Sequence, residues 1–187
     1  MTAVGLRVKS GYAIAVVLAG TRAAPQPIAR RVVELSDPAA VETRQPYHSG
    51  MFKTEEDRRE IARRVRIVQR WTERSISSLV DDTGSARAAL VVGSLIDPDR
   101  VANPHIRAHA SEGRLFRTVL LDALRARDVR CDVIVDKELG SRAAADLDRQ
   151  ATMIARTVAA FGKTLGGPWR ADEKAAATAA WLALGRR

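Results

Sequence analysis

The stretch VGLRVKSGYAIAVVLAG, residues 4–20, is compatible with two mutually exclusive structures. Its basic start, short apolar run and small residues near Gly20 are typical of a secretion signal. A signal, however, keeps its charges ahead of an unbroken apolar run, whereas Arg7 lies inside this one. Apolar residues at every second position from 4 to 8 have the period of a β-strand, and Ser10-Gly11 can form a turn before a second β-rich run. We therefore predict a β-hairpin at the start of a buried sheet.

The bulk composition is that of a soluble globular protein. Its 187 residues suit one domain spanning 1–187, and 46% hydrophobic and 28% charged residues are ordinary values for such a domain. No apolar run approaches the roughly 20 residues of a membrane helix. The single cysteine, Cys131, excludes an internal disulfide, so we expect a small, half-buried thiol in a cytoplasmic protein.

The charge balance favours a polyanionic partner. The chain has 31 lysines and arginines against 22 acidic residues, a net charge of +9, and arginine supplies most of the excess. The planar guanidinium group is suited to bidentate phosphate contacts. An arginine- and alanine-rich composition also follows from a GC-rich genome, so charge alone leaves nucleic-acid binding undecided.

Beyond the hairpin, the hydrophobic pattern predicts a third strand, a long helix, and then alternating strands and helices. The predicted further strands span 28–35, 88–95 and 131–135, and the predicted helices span 54–82, 105–127 (or 111–127), 141–165 and 171–184. The order β-β-β-α-β-α-β-α-α indicates an α/β protein: a mixed sheet, antiparallel in its first three strands, with helices on its faces.

That order resembles the ribonuclease-H-like fold and, locally, the RuvC-like Holliday junction resolvases. VGLRVKSGYAIAVV is similar to the family's first hairpin, where a metal-binding aspartate precedes a TGYA-like turn. LVVGSLID is similar to the strand that bears a glutamate, and RADEKAAATAAWLAL to the last helix, which opens with paired acids. The resemblance implies a carboxylate cluster that holds two divalent cations and cleaves a phosphodiester.

The positions of those carboxylates depart from the family pattern. Arg7 takes the place of the first aspartate, and Gly93 or Ser94 that of the glutamate. Asp172 and Glu173 remain in the last helix, but Ala175 stands where another acid is expected. Because a guanidinium cation repels Mg²⁺, we expect the two-metal mechanism to be lost. Either the fold serves as a binding module or another group of residues performs the chemistry.

The histidines are the other candidates for chemistry. In a helix, His105, His109 and Glu112 would share one face at i, i+4 and i+7, and His48 or a water could add a further ligand. Three interpretations remain: a metal site, histidines that anchor a loop by hydrogen bonds, or a general acid–base pair of His109 with Glu112 or Asp97. The sequence favours the loop anchors, so we assign no metal, and no motif identifies a cofactor. The segment RQPYHSG, 44–50, is either a binding loop or a rigid connector.

A row of five arginines marks the long helix. They are spaced 4, 3, 4 and 4 residues apart and line one side over about 22 Å. We call Arg59, Arg63, Arg66, Arg70 and Arg74 the arginine stripe. The stripe is either a solvated face or a surface that follows a phosphate backbone.

Three functional hypotheses follow. The leading one is a nucleic-acid-binding, ribonuclease-H-like module without the two-metal nuclease site. The second is an enzyme that acts on a phosphorylated or anionic substrate through His48, His105, His109 and Glu112. The third is a protein-binding scaffold whose basic face is merely solvated. We expect no membrane partner, and a homodimer is compatible with the sequence.

Overall fold

A computed structural model describes residues 1–50 and 53–185. A five-stranded mixed sheet in the order β3-β2-β1-β6-β7 lies at its centre. Its strands are β1 (Thr2–Val8), β2 (Tyr12–Gly20), β3 (Pro25–Glu34), β6 (Arg87–Val92) and β7 (Arg130–Val135). A separate small hairpin consists of β4 (His48–Gly50) and β5 (Lys53–Thr54). The helices are α1 (Arg58–Thr83), α2 (Pro104–Arg125), α3 (Leu139–Leu147), α4 (Ala151–Leu165) and α5 (Ala171–Ala183).

The predicted hairpin and the predicted sheet are both confirmed. β1 pairs antiparallel with β2, and β2 pairs antiparallel with β3. The other edge of β1 pairs parallel with β6, which in turn pairs parallel with β7. The turn between β1 and β2 places Gly11 at φ +83°, a left-handed conformation that glycine adopts without steric cost. Residues 4–20 therefore form the centre of the sheet.

The period-two pattern of β1 sends its side chains to two separate cores. Val4 and Leu6 are fully buried on the face that α1 and α2 cover. Ala3 lies on the opposite face with the alanine-rich helix α5. There, a Cβ at Gly5 would lie 1.9 Å from the carbonyl oxygen of Ala176, so only glycine permits this approach. The first strand and the last helix thus pack backbone against backbone.

The long helix starts later than the sequence indicates. Asp57, not Thr54, is the N-cap, because its side chain accepts the N–H groups of Arg59 and Glu60. Thr54 instead belongs to β5, where it pairs with His48. The predicted end is correct: Gly84 is in the left-handed region at φ +61°.

The predicted helix over 141–165 is in fact two helices. Asp148, in the left-handed region at φ +50°, ends α3, and α4 begins at Ala151. The break lets Leu147 and Ile154, on either side of it, enter the same core beside α5. The helix for which the sequence offers two starts, 105 or 111, is α2. It begins at Pro104, where the Asn103 side chain accepts the N–H of Ile106. Among the described residues, no helix combines the length and apolarity needed to span a membrane.

Candidate functional site

Two polar regions lie where the resemblance and the histidine pattern place them. The first is at the carboxyl ends of the parallel strands, where Arg7 in β1, Asp136 after β7 and Asp172 in the first turn of α5 meet. We call these three residues the arginine–carboxylate site. The edge of a parallel sheet at which the strands end is the usual place for ligands in α/β folds.

Ion pairs within the arginine–carboxylate site occupy both of its acids. Arg7 Nη2 donates to Asp136 Oδ2 at 2.9 Å, and its Nε donates to Asp172 Oδ1 at 3.2 Å. Lys9 Nζ lies 3.4 Å from Asp172 Oδ2. The two cations balance the two carboxylates, so Arg7 and Lys9 neutralise the acids at this edge of the sheet.

Gly93 and Ser94 follow β6 at the same edge. They line a cavity of about 330 Å³ together with Arg7, Lys9 and His109. Neither residue has a carboxylate to offer, and this cavity separates the arginine–carboxylate site from the histidines.

The two acids that open α5 have different roles. Glu173 turns away from Arg7 and accepts both Nε and Nη2 of Arg30, at 3.2 and 2.7 Å, and the backbone N–H of Arg170. Burial alone would raise the pKa of Glu173, but these hydrogen bonds outweigh it and lower the pKa below its ordinary value. The structure therefore brings Asp172, but not Glu173, to the arginine–carboxylate site.

The second region joins β4 to α2 and brings all three histidines together. His48 Nδ1 lies 2.7 Å from Glu112 Oε1, and His105 Nε2 lies 3.2 Å from His109 Nε2. The ring centroids are 4.6 to 5.2 Å apart. We call His48, His105, His109 and Glu112 the histidine cleft, since the three rings line a cavity of about 530 Å³.

Burial sets the character of the acid in the histidine cleft. Glu112 is 1% exposed, and burial raises the pKa of its carboxyl group, while the hydrogen bond from His48 opposes this rise. His109 Nδ1 lies 3.6 Å from the other carboxylate oxygen. The buried carboxylate thus orients His48 by a hydrogen bond and lies near His109 without bonding it. The arrangement can transfer protons, or bind a ligand through the remaining ring nitrogens.

Arg64 fixes the hairpin that carries His48. Its Nη1 donates to the carbonyl oxygen of His48 at 2.8 Å, and Glu55 and Glu60 hold the rest of the buried guanidinium group. Sequence reasoning missed this role, although Glu60 lies one helical turn before Arg64. It also missed Asp136, whose only signal is its place directly after a strand.

The loop 44–50 contributes unevenly to the histidine cleft. His48 reaches it, and Gln45 lines its cavity. Tyr47 packs against the core instead, where burial raises the pKa of its phenol. Arg44 packs beside the turn at Gly11.

The arginine stripe is exposed throughout, but its members are not equivalent. Glu60 and Glu42 bind Arg63, and hydrogen bonds from Arg63 and Arg64 lower the pKa of Glu60 to about 2. Arg74 stacks on Trp71, 5.6 Å from the ring centroid. Within the part of the chain that the structure describes, the three remaining members form no ion pair: Arg59, Arg66 and Arg70.

Comparison with solved structures identifies the fold. Thermus thermophilus RuvC aligns over 97% of this chain and 92% of its own, with a TM-score of 0.56 and 12% identity. The same resolvase in complex with a Holliday junction substrate gives the same TM-score and identity. The yeast mitochondrial Holliday junction resolvase Ydc2 aligns over 97% of this chain and 75% of its own, with a TM-score of 0.53 and 8% identity. No family model and no curated protein sequence matches the chain. The fold is that of the RuvC-like, ribonuclease-H-like proteins.

Proposed function

We propose that the protein binds nucleic acid and lacks the two-metal nuclease site of the enzymes whose fold it shares. The observation that carries this proposal is the row of exposed guanidinium groups at Arg59, Arg66 and Arg70, which have no ion-pair partner among the described residues. Their spacing of 7 and 4 residues keeps them within one narrow arc of the helix. The structure of Thermus thermophilus RuvC with a Holliday junction supports a nucleic-acid ligand for this fold.

The arginine–carboxylate site supports the second half of the proposal. Two-metal hydrolysis needs several carboxylates that share the cations between them. Here the two acids at the sheet edge already form ion pairs with Arg7, and Gly93 and Ser94 supply no further acid. The chemistry that this edge supports is contact with an anion, such as a phosphate, rather than with Mg²⁺.

Fluorescence anisotropy with labelled four-way junction, duplex and single-stranded DNA tests the proposal, and the same set in RNA decides between the two nucleic acids. The triple variant Arg59→Gln, Arg66→Gln, Arg70→Gln keeps good helix propensity and leaves the buried face of α1 intact. Its affinity should fall for all sequences alike. For duplex DNA, the slope of log K against log[salt] should shrink by about 0.9 for each phosphate that the variant no longer neutralises.

A matched control removes the same charge elsewhere. Arg125→Gln, Arg130→Gln, Arg156→Gln also changes three exposed arginines, which lie at the end of α2, at the start of β7 and on α4. This control should retain nearly the parental affinity and slope. An equal loss of affinity in the two triple variants would mean that net charge alone, not the stripe, determines binding. Absence of binding at low salt would refute the proposal.

A second candidate function is an enzyme acting on a phosphorylated or anionic substrate. It is favoured by the convergence of His48, His105, His109 and Glu112 on one cavity. Hydrolysis of p-nitrophenyl phosphate and of its diester analogue tests this candidate, with His109→Ala as the inactivating variant and Arg156→Gln as the control. Equal rates in the two variants would exclude the histidine cleft as the source of any activity.

A further inference from the structure

The ring nitrogens of the histidine cleft are spaced as ligands of one ion. One nitrogen from each of His48, His105 and His109 lies within 4.8 Å of the other two. The Nε2 atoms of His105 and His109 are 3.2 Å apart. A tetrahedral zinc ion with bonds of 2.0–2.1 Å separates its ligand nitrogens by about 3.3 Å. The distance between the Nε2 atoms of His105 and His109 therefore already matches that of two zinc ligands. The half-exposed ring of His109 has room to move, so the distances to His48 can adjust as well.

Glu112 determines which nitrogen of His48 faces the centre of the cluster. An ionised carboxylate only accepts, so its 2.7 Å contact places the ring hydrogen of His48 on Nδ1. His109 Nδ1 lies 3.6 Å from Glu112 Oε2, beyond hydrogen-bond distance, and Glu112 Oε2 has no hydrogen-bond partner among the described residues. His48 therefore presents the lone pair of its Nε2 to the cluster. Histidines that bind metals almost always donate their other N–H to a carboxylate or carbonyl in this way.

The third observation is a buried nitrogen without a partner. His48 is 7% exposed, and its Nε2 forms no hydrogen bond with any of residues 1–50 and 53–185. Buried polar atoms are nearly always satisfied, so an unpaired nitrogen that faces two other imidazoles needs a partner of its own. If the cluster were only a hydrogen-bonded loop anchor, this nitrogen would have a donor.

We infer that the histidine cleft binds a zinc ion through His48, His105 and His109, with Glu112 orienting His48. Imidazole nitrogen suits zinc and its transition-metal neighbours, whereas Mg²⁺ and Ca²⁺ prefer oxygen ligands. Neither nucleic-acid binding by the stripe nor any enzymatic activity is needed for this inference.

A zinc ion held by three histidines would keep a fourth position for a further ligand, and the cavity that the histidines line has room for one. Gln45, Ser49 and Arg64 line that cavity together with the histidines. Zinc sites with three protein ligands and one open position hold a water or a substrate oxygen there. An anionic oxygen, such as that of a phosphate or carboxylate, is the class of ligand that this position accepts.

Calorimetric titration of chelator-treated, tag-free protein with zinc chloride tests the inference without any substrate. We expect one ion per chain with a dissociation constant below roughly 1 µM. Cobalt as a spectroscopic probe should give the visible bands of a tetrahedral or five-coordinate ion. Replacement of His105 or His109 by Gln should weaken binding at least 100-fold, and Glu112→Gln should weaken it about 10- to 100-fold.

The controls separate removal of a ligand from unfolding of the chain. His109→Gln changes a half-exposed side chain, so its circular dichroism and unfolding midpoint without metal should match the parent. Arg114→Gln, on the same helix and outside the set of ligands, should bind zinc as the parent does. Binding weaker than millimolar, or zinc affinity unchanged in the double variant His105→Gln, His109→Gln, would overturn the inference. Neither result would affect the salt-dependent anisotropy that tests the stripe.

Discussion

The arginine–carboxylate site and the histidine cleft lie on either side of one cavity, yet their unpaired polar atoms differ in what they can bind. At the sheet edge, two cations face two carboxylates, and the acids of the site are paired. In the histidine cleft, one buried carboxylate bonds His48 through Nδ1 and leaves the Nε2 of that ring without a partner in the described chain. Arg7 Nη1 also lacks a partner there, but a guanidinium nitrogen only donates, whereas the imidazole Nε2 has a lone pair that can bind a cation.

This difference indicates which ligands the two regions suit. At the sheet edge, Arg7 holds both acids in ion pairs, and an unpaired guanidinium nitrogen suits an anion. The ring nitrogens of the histidine cleft, across a cavity from Arg7, suit a cation instead. If both proposals hold, one fold carries an anion-binding edge beside a metal-binding cleft.

The largest expected effect is on the free energy of unfolding, and it differs between the two regions because their acids are buried to different extents. Glu112→Ala should lower the free energy of unfolding by about 1–3 kcal/mol in metal-free protein, because it leaves His48 Nδ1 buried and unpaired. Asp172→Ala should cost less than about 1 kcal/mol, because this acid is a third exposed and Arg7 keeps Asp136. Urea unfolding of both variants measures the contrast, and equal costs would contradict it.

The next test reverses the charge of residue 7 in the arginine–carboxylate site. Arg7→Asp would place a third acid between Asp136 and Asp172, and we expect a decrease in stability of about 1–2 kcal/mol from like-charge repulsion and broken hydrogen bonds. Millimolar Mg²⁺ should restore part of this stability by binding the acids. Unfolding midpoints with and without Mg²⁺ measure the effect.

Two comparisons sharpen that result. Arg7→Gln also breaks the ion pairs but adds no acid, so Mg²⁺ should not stabilise it. Neither variant should cleave nucleic acid, because Gly93 and Ser94 contribute no carboxylate. If the unmodified protein showed Mg²⁺-dependent cleavage that Asp172→Asn abolished, our interpretation of the sheet edge would be wrong.

The smallest effect concerns Glu173 in α5 and the dependence of its contribution on pH. The pKa of Glu173 is lowered on folding, so its ionised form stabilises the protein above the ordinary glutamate pKa of 4.5 and loses that contribution as pH falls. Glu173→Gln should therefore cost about 1 kcal/mol at pH 7, and the difference from the parent should shrink below pH 4.5. Unfolding curves of the parent and the variant from pH 7 to pH 3 measure this. A difference independent of pH would assign Glu173 a packing role only.

The sheet could be predicted from the sequence because its signal is local. Alternation over residues 4–8, a glycine turn and β-rich runs determine the strands, and strand–helix alternation determines the layers. Helix boundaries were less accurate. The cap lies at Asp57 because pairing in the small hairpin extends to Thr54, and α3 ends at Asp148 because both flanking segments pack on α5.

The sites were only partly predictable because their contacts are not local. The shared helical face of His105, His109 and Glu112 follows from their spacing, but His48 reaches it across 64 residues of sequence. The exposure of the arginine stripe along one side of α1 also follows from its spacing. Its ion pairs do not, since Arg63 binds Glu42 from a different element.

The contact between Gly5 and α5 has a consequence for how the chain is made. The helix that covers the innermost strand is synthesised about 170 residues after that strand. At about 5–20 residues per second, roughly 10–35 seconds separate the two. During synthesis the apolar hairpin has one face uncovered, and such late, non-local closure favours slow folding and association between nascent chains. We therefore expect the hairpin to need shielding during synthesis until α5 has been made.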